Sequence, residues 1–177
     1  MSALARWCQQ QGIEIAGYDK TPSSITRSLE QQGVPISYED RKDTIPAHLL
    51  ENIEGKLVVY TPAVPLENEI SQTLKAHQLP FLKRSQVLGI ISKPFFTVAV
   101  AGTHGKTTTS SMIGHILKYS EKPCTAFIGG ISQNYLTNFL SETDKTKDQI
   151  LVVEADEFDR SFLTLTPDIA IVTAMDA

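Results

Sequence analysis

The sequence predicts an α/β protein made of two lobes, each built on a parallel sheet covered by helices. Three observations lead to this prediction. Short apolar runs alternate with helical stretches along the chain. Several runs are apolar at consecutive positions, as strands buried on both faces are. The segment Ser92-Lys93-Pro94 then interrupts the alternation. We therefore predict one domain over residues 1–92 and a second over residues 93–177.

The first lobe begins with a helix and continues as alternating strands and helices. Its first ten residues place Leu4, Trp7 and Cys8 on one helical face. Pro22 marks the start of the next helix and Gly33 its end. The predicted strands cover residues 13–18, 34–38, 56–60 and 80–82, and the further helices cover residues 22–32, 67–77 and 85–91. This order indicates a Rossmann-like parallel sheet, which binds its ligand at the carboxyl ends of the strands.

The second lobe opens on a buried strand that leads into a glycine-rich loop. The strand covers residues 95–100, and a helix runs from the loop to about residue 120. Further strands are predicted over residues 124–128, 149–153 and 168–173. Residues 136–147 are polar, and we predict the end of a helix and a solvated loop there.

Composition and charge exclude several classes of protein. Of the 177 residues, 41% are hydrophobic and 20% charged, which is typical of a globular domain. Sixteen Lys and Arg against 20 Asp and Glu give a net charge of −4, whereas general nucleic-acid binding needs a basic surface. No apolar run approaches the roughly 18–20 residues that span a bilayer. Cys8 and Cys124 match no metal or redox spacing, so we expect two reduced thiols in a cytoplasmic protein.

The glycine-rich loop carries the main functional signal. It reads Val98-Ala99-Val100-Ala101-Gly102-Thr103-His104-Gly105-Lys106-Thr107-Thr108-Thr109. In a strand–loop–helix arrangement of this kind, backbone N–H groups and the helix N-terminus converge on nucleotide phosphates. We predict that residues 102–108 bind ATP, that Lys106 contacts the β- and γ-phosphates, and that the Thr107 hydroxyl is a Mg²⁺ ligand. The loop departs from the common phosphate-loop pattern at Val100, where that pattern has Gly or Ala.

The strand over residues 149–153 ends in acidic residues. Glu154 follows it directly, and beside the phosphate loop it is placed to hold Mg²⁺ directly or through water. Taken alone, a solvated acid at a strand end explains Glu154 equally well. The acids continue as Asp156, Glu157 and Asp159, with Arg160 as a neighbouring cation. So dense a cluster is either a solvated turn or part of a magnesium-dependent phosphate site.

With both motifs in view, the sequence resembles the Mur ligases of bacterial cell-wall synthesis. The resemblance rests on Gly-Thr-His-Gly-Lys-Thr-Thr-Thr from Gly102 and on Glu-Ala-Asp-Glu-Phe-Asp-Arg-Ser-Phe from Glu154. The first lobe is similar too, with Met-Ser-Ala-Leu-Ala-Arg, Gly-Tyr-Asp-Lys-Thr and Tyr-Thr-Pro-Ala-Val in the family's order. On this resemblance, the second lobe is the P-loop ATPase-like central domain of these enzymes.

The resemblance implies an enzyme that joins L-alanine to UDP-N-acetylmuramate and cleaves ATP to ADP and phosphate through an acyl phosphate. It implies that Lys106, His104 and Glu154 are catalytic and that Thr107 and Glu154 hold Mg²⁺. His104 has three open roles: to donate to the phosphates, to face the muramate carboxylate, or to cap the loop. Another Mur-type ligase, such as the one that recycles a tripeptide, is the first alternative. A small-molecule kinase and a non-catalytic nucleotide-binding module are the others.

The resemblance further implies that the first lobe binds the UDP part of the substrate. Asp19 is placed to bond the ribose or uracil, or else to cap the helix after Pro22. Thr61 and Ala63, in the turn after a strand, are implied contacts to the diphosphate. The resemblance also implies that the backbone at Gly129 and Gly130 approaches the sugar closely, although a plain turn explains these glycines equally well.

We also expect the 177 residues to be part of a longer enzyme. Family members have a strand and a glycine-rich turn before the position of Met1. They continue past position 177 with further ligands and a third domain that receives the amino acid. Both lobes are therefore expected to be incomplete, and this polypeptide alone is expected to have no ligase turnover.

Overall fold

Strands and helices alternate along the chain as the hydrophobic pattern predicts, and the α/β class is confirmed. The computed structural model describes residues 1–142, 149–155 and 162–175. The chain divides into two units, Met1–Arg84 and Ser85–Ala177. This division falls after the first residue of the helix Arg84–Ser92, whereas the boundary predicted from the sequence follows that helix.

The first unit consists of short elements. They are α1 Ser2–Gln10, β1 Gly17–Tyr18, α2 Ser24–Gln31, β2 Ile36–Ser37, a 3₁₀ turn Lys42–Thr44, α3 His48–Glu51, β3 Val58–Tyr60, α4 Glu69–Ala76 and β4 Phe81–Lys83. In α1 the side chains of Ala3 and Leu4 are buried, while Trp7 and Cys8 of the predicted face are half-buried. The predicted strands occur in the expected order; three of the four are longer than the observed strands, and the fourth has the length of β4 but starts one residue earlier.

The strands of the first unit pair in parallel, β1 with β2 and β3 with β4. Among the described residues they form two separate two-stranded sheets, each parallel as predicted. Both ladders begin beside a proline: Gly17 N donates to Pro35 O and Val58 N to Pro80 O, each at 2.9 Å. Because a proline nitrogen cannot donate, regular pairing starts one residue later and the strands stay short.

Side chains cap the helices α2 and α4 of the first unit. Ser23 Oγ accepts from Thr26 N at 3.1 Å, and Thr26 Oγ1 accepts from Ser23 N at 2.8 Å, a reciprocal capping box at the start of α2. At α4, the Asp40 carboxylate accepts from the amides of Glu69 and Ile70, both at 3.0 Å. The N-cap residues are Ser23 for α2 and Asn68 for α4, where Asn68 Oδ1 accepts from Ser71 N at 2.8 Å. Both N-cap residues have extended backbone, so the two helices start two residues later than predicted.

The second unit is built on one five-stranded sheet. Its elements are α5 Arg84–Ser92, which begins at the division between the units, β5 Phe96–Ala101, α6 Lys106–Tyr119, β6 Cys124–Ser132, β7 Thr137–Ser141, β8 Ile150–Glu154 and β9 Ile169–Val172. Among the described residues the strand order is β7-β6-β8-β5-β9, and only the β6–β7 pair is antiparallel. Leu151, Val152 and Val153 of β8 are consecutive and all 0% exposed, as expected of a central strand covered on both faces.

The β6–β7 hairpin differs from the sequence prediction. The polar stretch after Leu136 forms β7 rather than a helix end and loop, with Asn138 and Leu140 buried. β6 runs through the two glycines to Ser132, and its pairing with β7 shifts register between Phe127 and Ser132. Because a polar residue, Asn138, occupies an inward position, this edge strand lacks the apolar–polar alternation that predicts a strand.

Candidate active site

The loop between β5 and α6 requires glycine at two positions. The φ angles of Gly102 and Gly105 are +127° and +82°, in the left-handed region that favours glycine. Space is a second constraint at Gly102, where an added Cβ would lie 2.4 Å from Thr173 Oγ1. Gly105 is also the N-cap of α6, and a glycine supplies no side-chain acceptor to the amides of the first helical turn.

The segment after β9 holds the loop in shape. Thr103 N donates to Ala174 O at 3.0 Å. The Thr173 hydroxyl contacts the carbonyl oxygens of Ala101, at 3.1 Å, and of His104. The sequence analysis missed Thr173, and a threonine at a strand end carries no local signal of such a contact. The loop is therefore anchored by residues about 70 positions away in the chain.

Lys106 is the first residue of α6 and is half-buried. Its Nζ donates to the carbonyl oxygen of Gly102 at 2.5 Å, which holds the ammonium group against the phosphate loop. The side chains of His104, Thr107 and Thr108 are exposed on the same loop and first helical turn. The structure thus places one cation and two hydroxyl groups around a helix N-terminus.

Thr107 and Glu154 come together from different elements. In the sheet, Glu154 at the end of β8 stands beside Val100 of β5, immediately before the loop. Glu154 Oε2 lies 3.2 Å from Thr107 Oγ1, although the residues are 47 positions apart. The two predicted metal ligands are therefore neighbours in space.

Two further donors hold the other oxygen of Glu154. Oε1 accepts from Ser110 Oγ at 2.8 Å and from Gly129 N at 2.7 Å. A Cβ added at Gly129 would lie 2.3 Å from Glu154 Oε2, and one at Gly130 would lie 3.2 Å from Thr107 Cγ2. At both glycines the described atoms that come close belong to this site. Ser110 was missed by the sequence analysis, although its position one helical turn after Thr107 is a usable signal.

The donor set suits a magnesium ion. Mg²⁺ binds through oxygen, usually with one or two protein ligands beside phosphates and water, and Thr107 and Glu154 supply one hydroxyl and one carboxylate. Within the part of the chain that the structure describes, no cluster of three or more His, Cys, Asp or Glu could hold a metal instead. The acids predicted after Glu154, from Asp156 to Asp159, and Arg160 lie outside the described residues.

The predicted substrate residues of the first unit lie at the carboxyl ends of two strands. Asp19 N donates to Ser37 O at 3.0 Å, and its Oδ1 accepts from Thr21 N at 3.1 Å. The alternative that Asp19 caps the next helix is wrong, because Ser23 does so. Thr61 and Ala63 form the turn after β3, closed by a 3.0 Å bond from Val64 N to Thr61 O.

Family models cover nearly all of the chain. Residues 1–96 match the model described as "Mur ligase family, catalytic domain", and residues 100–177 match "Mur ligase middle domain". The chain belongs to the Mur ligase family. The resemblance inferred from the two motifs is confirmed.

Individual relatives agree with this family. The Mur ligase chain is 51% identical over 177 residues to the UDP-N-acetylmuramate–L-alanine ligase of Flavobacterium johnsoniae and 46% identical to that of Christiangramia forsetii. It covers all of its own length in both alignments but spans 38% of the length of these relatives.

Solved structures of Mur ligases share the fold. The UDP-N-acetylmuramate–alanine ligase of Thermotoga maritima matches with a TM-score of 0.81 and 27% identity, over 100% of this chain and 39% of that one. The UDP-N-acetylmuramate:L-alanyl-gamma-D-glutamyl-meso-diaminopimelate ligase of Neisseria meningitides matches with a TM-score of 0.83 and 24% identity, over 99% and 57%. Among the described residues of this Mur ligase, every helix is too short or too polar to cross a membrane.

Proposed function

We propose that this chain provides the nucleotide-binding site of an enzyme that uses ATP to join L-alanine to UDP-N-acetylmuramate in peptidoglycan synthesis. The observation that carries the proposal is the placement of Lys106 and the Thr107–Glu154 pair at one phosphate loop. The choice of L-alanine is supported by relatives of 43–51% identity whose names specify that reaction.

The proposed reaction has two steps. A carboxylate oxygen of the muramate attacks the γ-phosphorus of ATP, the bond to ADP breaks, and an acyl phosphate forms. The amine of L-alanine then attacks the acyl carbon, loses a proton to a base, and expels phosphate as the amide bond forms. Negative charge develops on the transferred phosphoryl group in the first step, so fixed positive charge around it lowers the barrier.

The residues of the loop suit the first step. The Lys106 ammonium exchanges its bond to the Gly102 carbonyl for the β- and γ-phosphates, and the amides of residues 102–105 orient them. Thr107 and Glu154 hold Mg²⁺, which neutralises phosphate charge when bound. His104, exposed on the loop, is proposed to contact the phosphates or the muramate carboxylate.

The remaining candidate residues are proposed substrate contacts. Asp19, Thr61 and Ala63 suit the UDP part because they lie where parallel strands of an α/β fold end. Gly129 and Gly130 are proposed to lie near the sugar, beside the Thr107–Glu154 pair. We place the reaction in the cytoplasm, where ATP is available.

A second candidate function uses the same site but joins a different amine substrate to the UDP-sugar. The structure with a TM-score of 0.83 belongs to a ligase whose name specifies a tripeptide, and a murein peptide ligase from Psychrobacter arcticus matches at 0.77 with 27% identity. Sequence identity favours L-alanine, since the relatives named for it reach 51%.

The test measures phosphate release by a full-length enzyme that carries these residues, with ATP and UDP-N-acetylmuramate. Release that requires L-alanine supports the first candidate, and release that requires the tripeptide supports the second. Release indifferent to the UDP-sugar and to both amines would refute a ligase. Lys106→Ala is expected to abolish release, and Lys122→Ala, beyond the other end of α6, is the charge-matched control. Full activity of Lys106→Ala would contradict the assignment of the phosphate loop.

A further inference from the structure

The Glu154 carboxylate is held unequally at its two oxygens. Oε1 accepts two hydrogen bonds, from Ser110 Oγ at 2.8 Å and from Gly129 N at 2.7 Å. Oε2 accepts one longer hydrogen bond, from Thr107 Oγ1 at 3.2 Å. We propose that Ser110 is a positioning residue, which fixes the carboxylate so that Oε2 is the oxygen turned toward the cation beside Thr107. This inference rests on the proposed function of the site.

The surroundings of Ser110 explain why its hydroxyl has one main acceptor. The residue is 0% exposed on α6, so its hydroxyl must find a partner inside the protein. It lies 2.8 Å from the Glu154 carboxylate and 3.2 Å from the backbone oxygen of Thr107. The single proton goes to the carboxylate, since a charged acceptor at the shorter distance makes the stronger bond.

Ser110 and Gly129 approach Glu154 from different elements, α6 and β6. Two donors on one oxygen fix both the position and the rotation of a carboxylate, whereas one donor lets it pivot. Gly129 is a backbone donor and survives any side-chain change. Removing the Ser110 hydroxyl therefore leaves Gly129 N as the one donor to Oε1 and the longer Thr107 bond on Oε2, so the carboxylate is held less firmly. Partners of this kind behind a metal ligand typically change metal affinity by about 10–100-fold when lost.

The test uses Ser110→Ala in a full-length enzyme that carries these residues, with Mn²⁺ as the probe for the divalent cation. Mn²⁺ binding in the presence of ADP is measured by electron paramagnetic resonance, and ADP binding in EDTA by calorimetry. We expect the Mn²⁺ dissociation constant to rise about tenfold, with metal-free ADP binding unchanged. Ser111→Ala is the matched control, because Ser111 makes no side-chain hydrogen bond within the described part of the chain and is the next residue on α6.

A purely structural role for Ser110 predicts a lower melting temperature with unchanged Mn²⁺ affinity, and that result would overturn the proposal. If Ser110→Ala does not fold, Ser110→Thr and Ser110→Val replace it, since they share one shape and differ in the hydroxyl. We expect the Mn²⁺ dissociation constant of the Ser110→Thr enzyme to lie within about threefold of the native value, and that of Ser110→Val to be about tenfold higher. Equal affinities in this pair count against Ser110. A native enzyme that binds neither ADP nor Mn²⁺ contradicts the proposed function itself.

Discussion

Gly129→Ala tests the geometry of the site most directly. The new Cβ would lie 2.3 Å from Glu154 Oε2 and 3.0 Å from its Cδ. Because heavy atoms in contact rest at roughly 3.5 Å, the carboxylate must move by about 1 Å. Its Oε1 is tethered by a 2.7 Å bond from Gly129 N and a 2.8 Å bond from Ser110 Oγ, and a movement of about 1 Å takes at least one of them beyond hydrogen-bonding range.

The size of the effect follows from those bonds. A hydrogen bond to a charged group contributes about 1.5–3 kcal/mol. A carboxylate that tilts away can keep one of its two anchors, so we count the loss of one bond. At about 1.4 kcal/mol for each factor of ten, the loss corresponds to a roughly 10- to 150-fold weaker site.

The assay is ATP-dependent phosphate release by the full-length enzyme, together with its melting temperature. Gly114→Ala is the control: this glycine lies on α6 outside the site, and its Cβ would lie 3.2 Å from Leu140 Cδ1, which needs a shift of only a few tenths of an ångström. We expect the control to keep activity within about threefold. A folded Gly129→Ala enzyme with the activity of the control would refute the reasoning.

Two other predictions concern stability and thiol chemistry. Ser23→Ala removes the acceptor of the Thr26 amide and is expected to lower the free energy of unfolding by about 1 kcal/mol, measured by urea denaturation; an unchanged midpoint would contradict the capping role. Burial raises the pKa of the Cys8 and Cys124 thiols, so the reactive thiolate is scarcer at a given pH than in free cysteine. Thiol labelling of the native protein at pH 8, followed by mass spectrometry, measures this effect. We expect Cys8 to react more slowly than free cysteine and Cys124, which is 1% exposed, to react slowest. Equal rates at the two cysteines would contradict the difference in burial between them.

The parts of the fold that were predicted correctly are those marked by patterns within a few neighbouring residues. Consecutive apolar residues identified β8, and a strand running into a glycine-rich loop and a helix identified the β5–α6 unit. The strand Thr137–Ser141 was missed because one of its two inward positions holds an asparagine, which breaks the apolar alternation. The separation of the first unit into two sheets has no such pattern, because strand pairing is not a local property.

In the candidate site too, local sequence identified some residues, while the contacts between them depend on the tertiary structure. Lys106 and Thr107 are recognisable because the whole phosphate loop is one continuous segment, and Glu154 because it ends an apolar strand. Their proximity was predicted from the pairing of a phosphate loop with an acid-ended strand, and the contact between Thr107 and Glu154 is a property of the sheet register. Ser110 and Thr173 had no motif of their own.

By itself, the sequence determined the α/β class, the phosphate loop and the family, because apolar periodicity, glycines and short motifs act over a few neighbouring residues. Only the tertiary structure decided which oxygen of Glu154 is held, why Gly129 has no side chain, and what anchors the loop. Those contacts join residues 25, 44 and 72 positions apart. Their distances depend on how strands pair and helices pack, and a linear pattern does not record that.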